Sequence, residues 1–330
     1  MKESKVIGVV YDLREEYLEQ GFSYEETAEF DTRESIRKLS ESMRRLGFEV
    51  DLVGSGLALA RRLAKGERWD LVFPMAEGIS GKCREARVPA LLDLYGQPYA
   101  LSDASTMAAT LDKATAKIIV SHYGVPTAPF RVIDGSTEWI DDWDIYPAFV
   151  KPLAEGTSKG CNLESIVHDS KSAAVVASKL IEQFNQPAIV ESYLPGDEFT
   201  VGVVGNGETA SSIGVAKIVM GPDADQIVFT RRNKEDQWSL CSFQKAREDV
   251  AKNIEILAVA AYRALGCRDC CRIDFRCDIH GIPSFLEANP IPGLHPENSD
   301  LPVLAQACGV KYDDLVARII SEALSRNGIA

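Results

Sequence analysis

Apolar positions in the first hundred residues follow two alternating periods. KVIGVVYD is a short continuous apolar run that closes in polar residues, the pattern of a strand buried on both faces. An acidic stretch follows. SIRKLSESMRRLG then puts Ile36, Leu39, Met43 and Leu46 on one helix face, and Gly47 stops the helix. FEVDLV and WDLVFPM read as the second and third strands, and REARVPALLDLYG as a helix. This rhythm predicts an α/β domain with a mostly parallel sheet over 1–103.

Beyond residue 104 the pattern changes. DKATAKIIVSHYGVP reads as a helix ended by Gly124 and Pro126. After a polar stretch, YPAFVKPLAEGTSKG reads as a strand opening into a glycine-containing loop, and SKSAAVVASKLIEQF as the next helix. From AIVESYLPGDEFTVGVVG onward the strands alternate as antiparallel strands do. Three segments are therefore expected, 1–103, 104–187 and 188–330. No internal repeat or low-complexity tract interrupts them.

Composition narrows the classes. The chain has 330 residues, 45% of them apolar and 26% charged, enough for a globular protein with a substantial core. A net charge of −13 argues against nucleic acid or an anionic membrane as the main partner. It leaves room for a small anion in a locally basic cleft. No run approaches the roughly 18 apolar residues of a membrane span, and MKESKVIGVVYD turns polar too soon for a secretory signal. Eight cysteines are too sparse for a disulfide framework, which points to a reducing, cytoplasmic setting. Cys267, Cys270, Cys271 and Cys277 lack the second pair of a zinc site and read as small apolar strand residues.

The candidate chemistry lies in CCRIDFRCDIHGIPSFLEANPIPG. A hairpin turning at His280 and Gly281 pairs Asp274 with Glu287, Arg272 with Asn289 and Phe275 with Leu286. Arg272, Asp274, Glu287 and Asn289 then share one face, and Ile273, Phe275, Leu286 and Ala288 the other. Like charges opposed on paired strands repel, so the polar face calls for compensation. Two carboxylates beside an amide are hard oxygen ligands suited to Mg²⁺; a solvated face with incidental charges is the alternative. VKPLAEGTSKG sets Lys151 at a strand end before amides freed by Gly156 and Gly160, able to fold over phosphoryl oxygens. Lys113, at a helix start, offers a second cation. Alone, each reads equally as a solvated lysine or an ordinary turn. Neither a P-loop nor a dinucleotide fingerprint is present.

Taken in order, LDKATAKIIVSHYGVPTAPF, FVKPLAEGTSKG, AIVESYLPGDEFTVGVVG and YRALGCRDCCRIDFRCDIHGIPSFLEANPIPGL resemble the D-alanine–D-alanine ligase family of the ATP-grasp superfamily. The resemblance covers most of the chain. It implies an α/β (α+β) architecture: an N-terminal parallel-sheet domain, a small central domain and a C-terminal, mostly antiparallel one. The implied activity is ATP-dependent carboxylate–amine ligation through an acyl phosphate. ATP and Mg²⁺ or Mn²⁺ would be the cofactors, amino acids or a dipeptide the substrates, and a homodimer the assembly. Matching positions give Lys113 and Lys151 at the phosphates, Glu155, Gly156, Ser158 and Gly160 in the closing loop, Glu191 at the adenine edge and Glu198 at the ribose. They also give Asp274, Glu287 and Asn289 as metal ligands, Arg272 steadying the tetrahedral intermediate, and Gly293 meeting the acceptor's carboxylate. A ligase for another amino acid or metabolite, and a non-catalytic nucleotide-binding regulator, remain open.

The substrate half departs from the family pattern. Glu77 stands where the family carries a histidine, and Thr157 replaces a serine that helps hold the first substrate. IVFTRRNKEDQW offers Arg231, Arg232 and Lys234 but no tyrosine. Glu29 matches the glutamate that reads the first substrate's ammonium, and Asn298 or Ser299 the serine after Pro-Gly. Arg84, Arg87, Arg231 and Arg232 raise the option of a substrate with an additional carboxylate or a short peptide. Surface pairing with the abundant acids is the preferred reading for them.

Overall fold

The computed structural model describes residues 4–135, 143–225 and 230–329; Ile227, Val228 and Phe229 of the IVFTRRNKEDQW stretch lie outside them. Strands β1 (Val6–Val10), β2 (Glu49–Gly54) and β3 (Leu71–Pro74) form a parallel sheet in the order β2-β1-β3. The central strand β1 and its neighbour β3 are almost wholly buried, as continuous apolar runs require. Helix Arg33–Arg45 buries Ile36, Leu39 and Met43, the face its spacing predicts. Gly47, at φ +92°, turns the chain out of that helix. A further helix, Gly56–Ala64, forms between β2 and β3, the crossover that the β-α-β rhythm implies.

Strands β4 (Phe130–Ile133), β5 (Ala148–Pro152), β6 (Ile166–Val167) and β7 (Ala188–Ser192) make a small antiparallel sheet in the order β4-β7-β5-β6. Helix Ser170–Phe184 covers it through Ala173, Ala177 and Leu180. Because β7 pairs with both β4 and β5, this sheet runs past the segment border expected at residue 187. The large antiparallel sheet holds β8 (Glu198–Val204), β9 (Ser211–Met220), β10 (Cys241–Lys245), β11 (Cys270–Cys277) and β12 (Pro283–Asn289), in the order β10-β9-β8-β11-β12. The four clustered cysteines, Cys267, Cys270, Cys271 and Cys277, are buried free thiols. Among the described residues no helix is long and apolar enough to cross a membrane.

Packing divides the molecule unequally. Ile7 and Phe73 of the parallel sheet and Met43 share one core with Val204, Leu304, Leu315 and Ile319 of the C-terminal segment. Each such side chain, fully buried, contributes about 1.5–3 kcal/mol, so the first and last segments are fused. The small sheet keeps a core of its own around Trp143, Val150 and Leu180. Helix Lys113–His122 packs on the large sheet through Ala116 and Val120.

That helix also ties the two antiparallel sheets together. Lys117, with no exposed surface, donates to the Phe285 carbonyl of β12 at 3.0 Å and pairs with Glu191 of β7 at 3.0 Å. Lys151 of β5 holds the other Glu191 oxygen at 2.6 Å. Burial raises the Glu191 pKa, but the two ammonium groups outweigh it and bring it down to about 2. Removing one partner of a buried ion pair costs on the order of 3 kcal/mol or more. Lys117→Met should therefore lower the unfolding free energy by about that much, seen as a lower denaturant midpoint at unchanged slope. An unchanged midpoint would mean that Lys117 joins nothing.

Candidate active site

The hairpin register brings the charged residues together, through an irregularity. Asp274 faces Glu287 and Arg272 faces Asn289, but toward the turn Phe275 faces Phe285. The turn centres near His280, where the Asp278 carboxylate accepts from the His280 and Ile282 amides at 2.8 and 2.9 Å. One residue too many on β12 is taken up by a β-bulge between the two registers. The bulge moves Leu286 off the core face, where it was expected, and into the wall of a pocket; Phe285 takes its place inside.

The opposed carboxylates are compensated from within the chain. Arg272 donates to Asp274 through Nε at 3.2 Å and Nη2 at 3.0 Å, and reaches Glu287 at 3.7 Å. Lys113 stands 3.4 Å from the other Glu287 oxygen. The Asn289 amide donates to Asp274 at 3.3 Å and to Glu287 at 3.4 Å. Burial works against both acids and leaves the Asp274 pKa above its ordinary value. At Glu287 burial is outweighed by Lys113 and Arg272, which bring the pKa down to about 2. The repulsion expected to need a divalent cation is thus already offset by an arginine, a lysine and an amide. Two carboxylates and an amide still suit a hard cation. Among the described residues no three His, Cys, Asp or Glu side chains converge to hold a metal.

Asp300, which the sequence did not single out, fixes Arg272 from behind. It begins the helix Asp300–Ala307 and accepts from Arg272 Nη1 at 2.6 Å, Lys234 at 2.7 Å and Gln237 at 2.6 Å. Burial raises its pKa, but Lys234 and Arg272 hold it far below the usual carboxylate range. The guanidinium therefore sits between two carboxylates with its plane set by both.

The glycine-containing loop closes onto the N-terminal segment. Thr157 and Ser158 both adopt left-handed backbone, at φ +48° and +55°. Each costs on the order of 1–2 kcal/mol outside glycine. The contacts that hold the loop there run to Glu29. Its carboxylate accepts from the Gly156 amide at 2.7 Å, from Lys159 at 3.1 Å, and from Arg84 Nη2 at 3.0 Å on both oxygens. Arg84 and Lys159 overcome the burial penalty and lower the Glu29 pKa. A Cβ on Gly160 would lie 2.8 Å from both Phe184 and Pro152, so that position admits no side chain. Glu155 is occupied as well, holding Gln186 at 2.7 Å and Lys159 at 3.1 Å, with its carbonyl accepting from Lys113.

Two connected hollows take in these groups. A pocket of about 120 Å³ lies between Phe149, Leu194 and Leu286, with Lys151, Glu191 and Glu198 at its edge. Burial raises the pKa of Glu198, against Arg276 3.5 Å away. A cleft of about 1080 Å³ continues past Lys113, Asp274, Glu287, Asn289 and Arg272 to Gly293, Ser299, Glu29 and Glu77. Glu155, Gly156, Thr157, Ser158 and Arg231 form its loop side. Every site residue expected from the sequence lines one of the two, save Gly160, which lies packed beneath the loop. The Ser299 hydroxyl accepts from the His295 amide at 3.0 Å, close against Gly293.

The four arginines do not gather. Arg84 is buried under Glu29 and also donates to the Ala154 carbonyl at 2.8 Å; Arg87 donates to the Ser80 carbonyl. Arg232 pairs with Asp225 at 3.0 Å on the surface. Only Arg231 reaches the cleft, with Nη1 3.3 Å from the Thr157 carbonyl. The additional-carboxylate option loses its basis. Lys117, Lys159, Glu85 and Asp300 were all missed. For Lys117 a signal existed in DKATAK, whose two lysines lie four apart and so on one helix face.

The family model described as D-ala D-ala ligase C-terminus matches residues 119–321. A D-alanine–D-alanine ligase of Cupriavidus taiwanensis is 31% identical over 84% of this chain and 81% of its own. The uncharacterized protein y4sG of Sinorhizobium fredii is 32% identical over 78% and 77%. In three dimensions the chain is similar to a D-alanine–D-alanine ligase of Bacillus anthracis complexed with ATP. The TM-score is 0.75, at 19% identity over 99% of both chains, which supports the fold. With an ATP-grasp architecture and relatives of this extent, the chain belongs to the D-alanine–D-alanine ligase family.

Proposed function

We propose that the chain joins the carboxylate of one amino acid to the amine of a second, at the expense of ATP. The observation that carries this reading is the clamped guanidinium of Arg272. It lies on one sheet face with Asp274, Glu287 and Asn289, where the small pocket and the large cleft meet. The small pocket, with apolar walls and carboxylates at its edge, suits a purine and its ribose. The loop 155–160 and Lys113 and Lys151 suit the phosphates.

Asp274, Glu287 and Asn289 would hold Mg²⁺, which supplies positive charge to phosphoryl oxygens when bound. The remaining work falls to the chain's own groups. Lys113 and Lys151 offset charge on the nucleotide as a substrate carboxylate attacks the γ-phosphoryl group, giving an acyl phosphate and ADP. The loop, latched to Glu29, keeps water from that intermediate. Arg272 then donates to the oxyanion formed when the second substrate's amine attacks the acyl carbon, and Asp300 keeps it aimed. Gly293 and Ser299 sit where the acceptor's carboxylate would rest.

Two measurements test this reading. Arg272→Lys keeps the charge between Asp274 and Asp300 but loses the fork. Product formation should fall about 10²–10³-fold, with ATP affinity held within about threefold. Equal loss of both would make Arg272 a structural residue. Chelation with EDTA should abolish ADP release, and Mg²⁺ or Mn²⁺ should restore it. Because Arg272 and Lys113 already offset the acidic pair, the unfolding temperature should stay within about 2 °C of its starting value. Unfolding on chelation would show that the chain's own cations do not suffice.

A further inference from the structure

The large cleft carries three acids that feel nearby cations but have no hydrogen-bond or ion-pair partner among the described residues. Glu29 is fully engaged by Arg84, Lys159 and Gly156. Arg14, also in the lining, spends its guanidinium on the Thr27, Ala28 and Phe30 carbonyls. Asp31, Glu77 and Glu85 line the same wall with no side-chain hydrogen bond or ion pair. Glu85 is only 8% exposed, and that surface opens into the cleft. A carboxylate so deeply walled and unpartnered is costly. Burial pushes Glu85 up to about 7 and Asp31 likewise to about 7, with Glu77 well above the ordinary glutamate value. A bound cation would remove that cost.

The three acids line the same cleft as Lys113 and Glu287. Glu85 feels the charges of Lys113 and Glu287, and Glu77 those of Glu85 and Asp31. No metal-holding group forms among them, so an extended organic cation fits better than an ion. Alanine, with one ammonium and a methyl group, would leave at least one of these acids unanswered.

We propose that the first substrate is a diamino monocarboxylic acid, its α-ammonium beside Glu85 and its side-chain ammonium against Glu77 and Asp31. This rests on the ligase reading for the direction in which the carboxylate points, and it is read by binding as well as by turnover. The probes are ornithine and 2,4-diaminobutyrate, against norvaline, alanine and glutamate, in both enantiomers, on the full chain. Calorimetry measures binding, and ADP release with ATP and Mg²⁺ measures turnover.

One enantiomer of a diamino acid should bind at least about tenfold more tightly than norvaline, the effect of one charged hydrogen bond. Glu77→Gln and Glu85→Gln, singly and together, should erase that ratio. Both variants should melt no lower than the native chain, because neither carboxyl has a hydrogen-bond or ion-pair partner to lose. Equal affinity for norvaline or alanine, or preference for glutamate, overturns the proposal, as does a ratio that survives both substitutions. Retained diamino-acid selectivity without ADP release would support this proposal and sink the ligase reading. ADP release that ignores the second amine would do the reverse.

Discussion

Two carboxylates opposed across a hairpin set the terms for everything around them. Asp274 and Glu287 are held on neighbouring strands, deep in the junction of the two antiparallel sheets, where each charge is expensive. Arg272 and Lys113 make that arrangement tolerable, and each is fixed in turn. Arg272 is braced by Asp300, and Lys113 is bound to the Glu155 carbonyl at the root of the loop. The acidic pair therefore links the hairpin, the loop and the helix carrying Asp300 into one electrostatic unit. In the proposed reaction a divalent cation with a nucleotide would join this unit, whose oxygen donors face open space.

Packing sets the small sheet apart from the rest of this unit. The parallel sheet and the large sheet share a core, whereas the small sheet keeps its own and meets the rest through a small apolar cluster at Ala114 and Ile189 and through polar contacts. Lys117 and Glu191 are a buried tie, and the Glu29 latch on Gly156 and Lys159 is another point of attachment. The strained backbone at Thr157 and Ser158 sits at that latch. Strain of this kind is kept where neighbouring contacts over-determine a conformation.

What was legible in the chain was what local periodicity encodes. The helix face of Ile36, Leu39 and Met43, the strand rhythm, and the alternation that puts Arg272 beside Asp274 all follow from spacings of two to four residues. The bulge at Leu286 was not legible, because two errors of one residue, in the turn and in the strand, cancel at Asp274 and Glu287. Lys117 and Asp300 gain meaning only from partners 74 and 28 residues away, Glu191 and Arg272. Arg84 reads as a surface ion pair, with a substrate role as the alternative, and the fold instead buries it under Glu29, 55 residues distant. The sequence indicates which charges exist, and long-range packing decides which of them remain free.

The account turns on a carboxylate being activated by phosphoryl transfer in this cleft, and isotope transfer reads that step directly. An amino-acid substrate labelled with ¹⁸O in its carboxylate should leave one labelled oxygen in the inorganic phosphate released with ADP, seen as a shift in the ³¹P spectrum. Product formed with all of the label retained in the amino acid and its amide, and none in the phosphate, would contradict it.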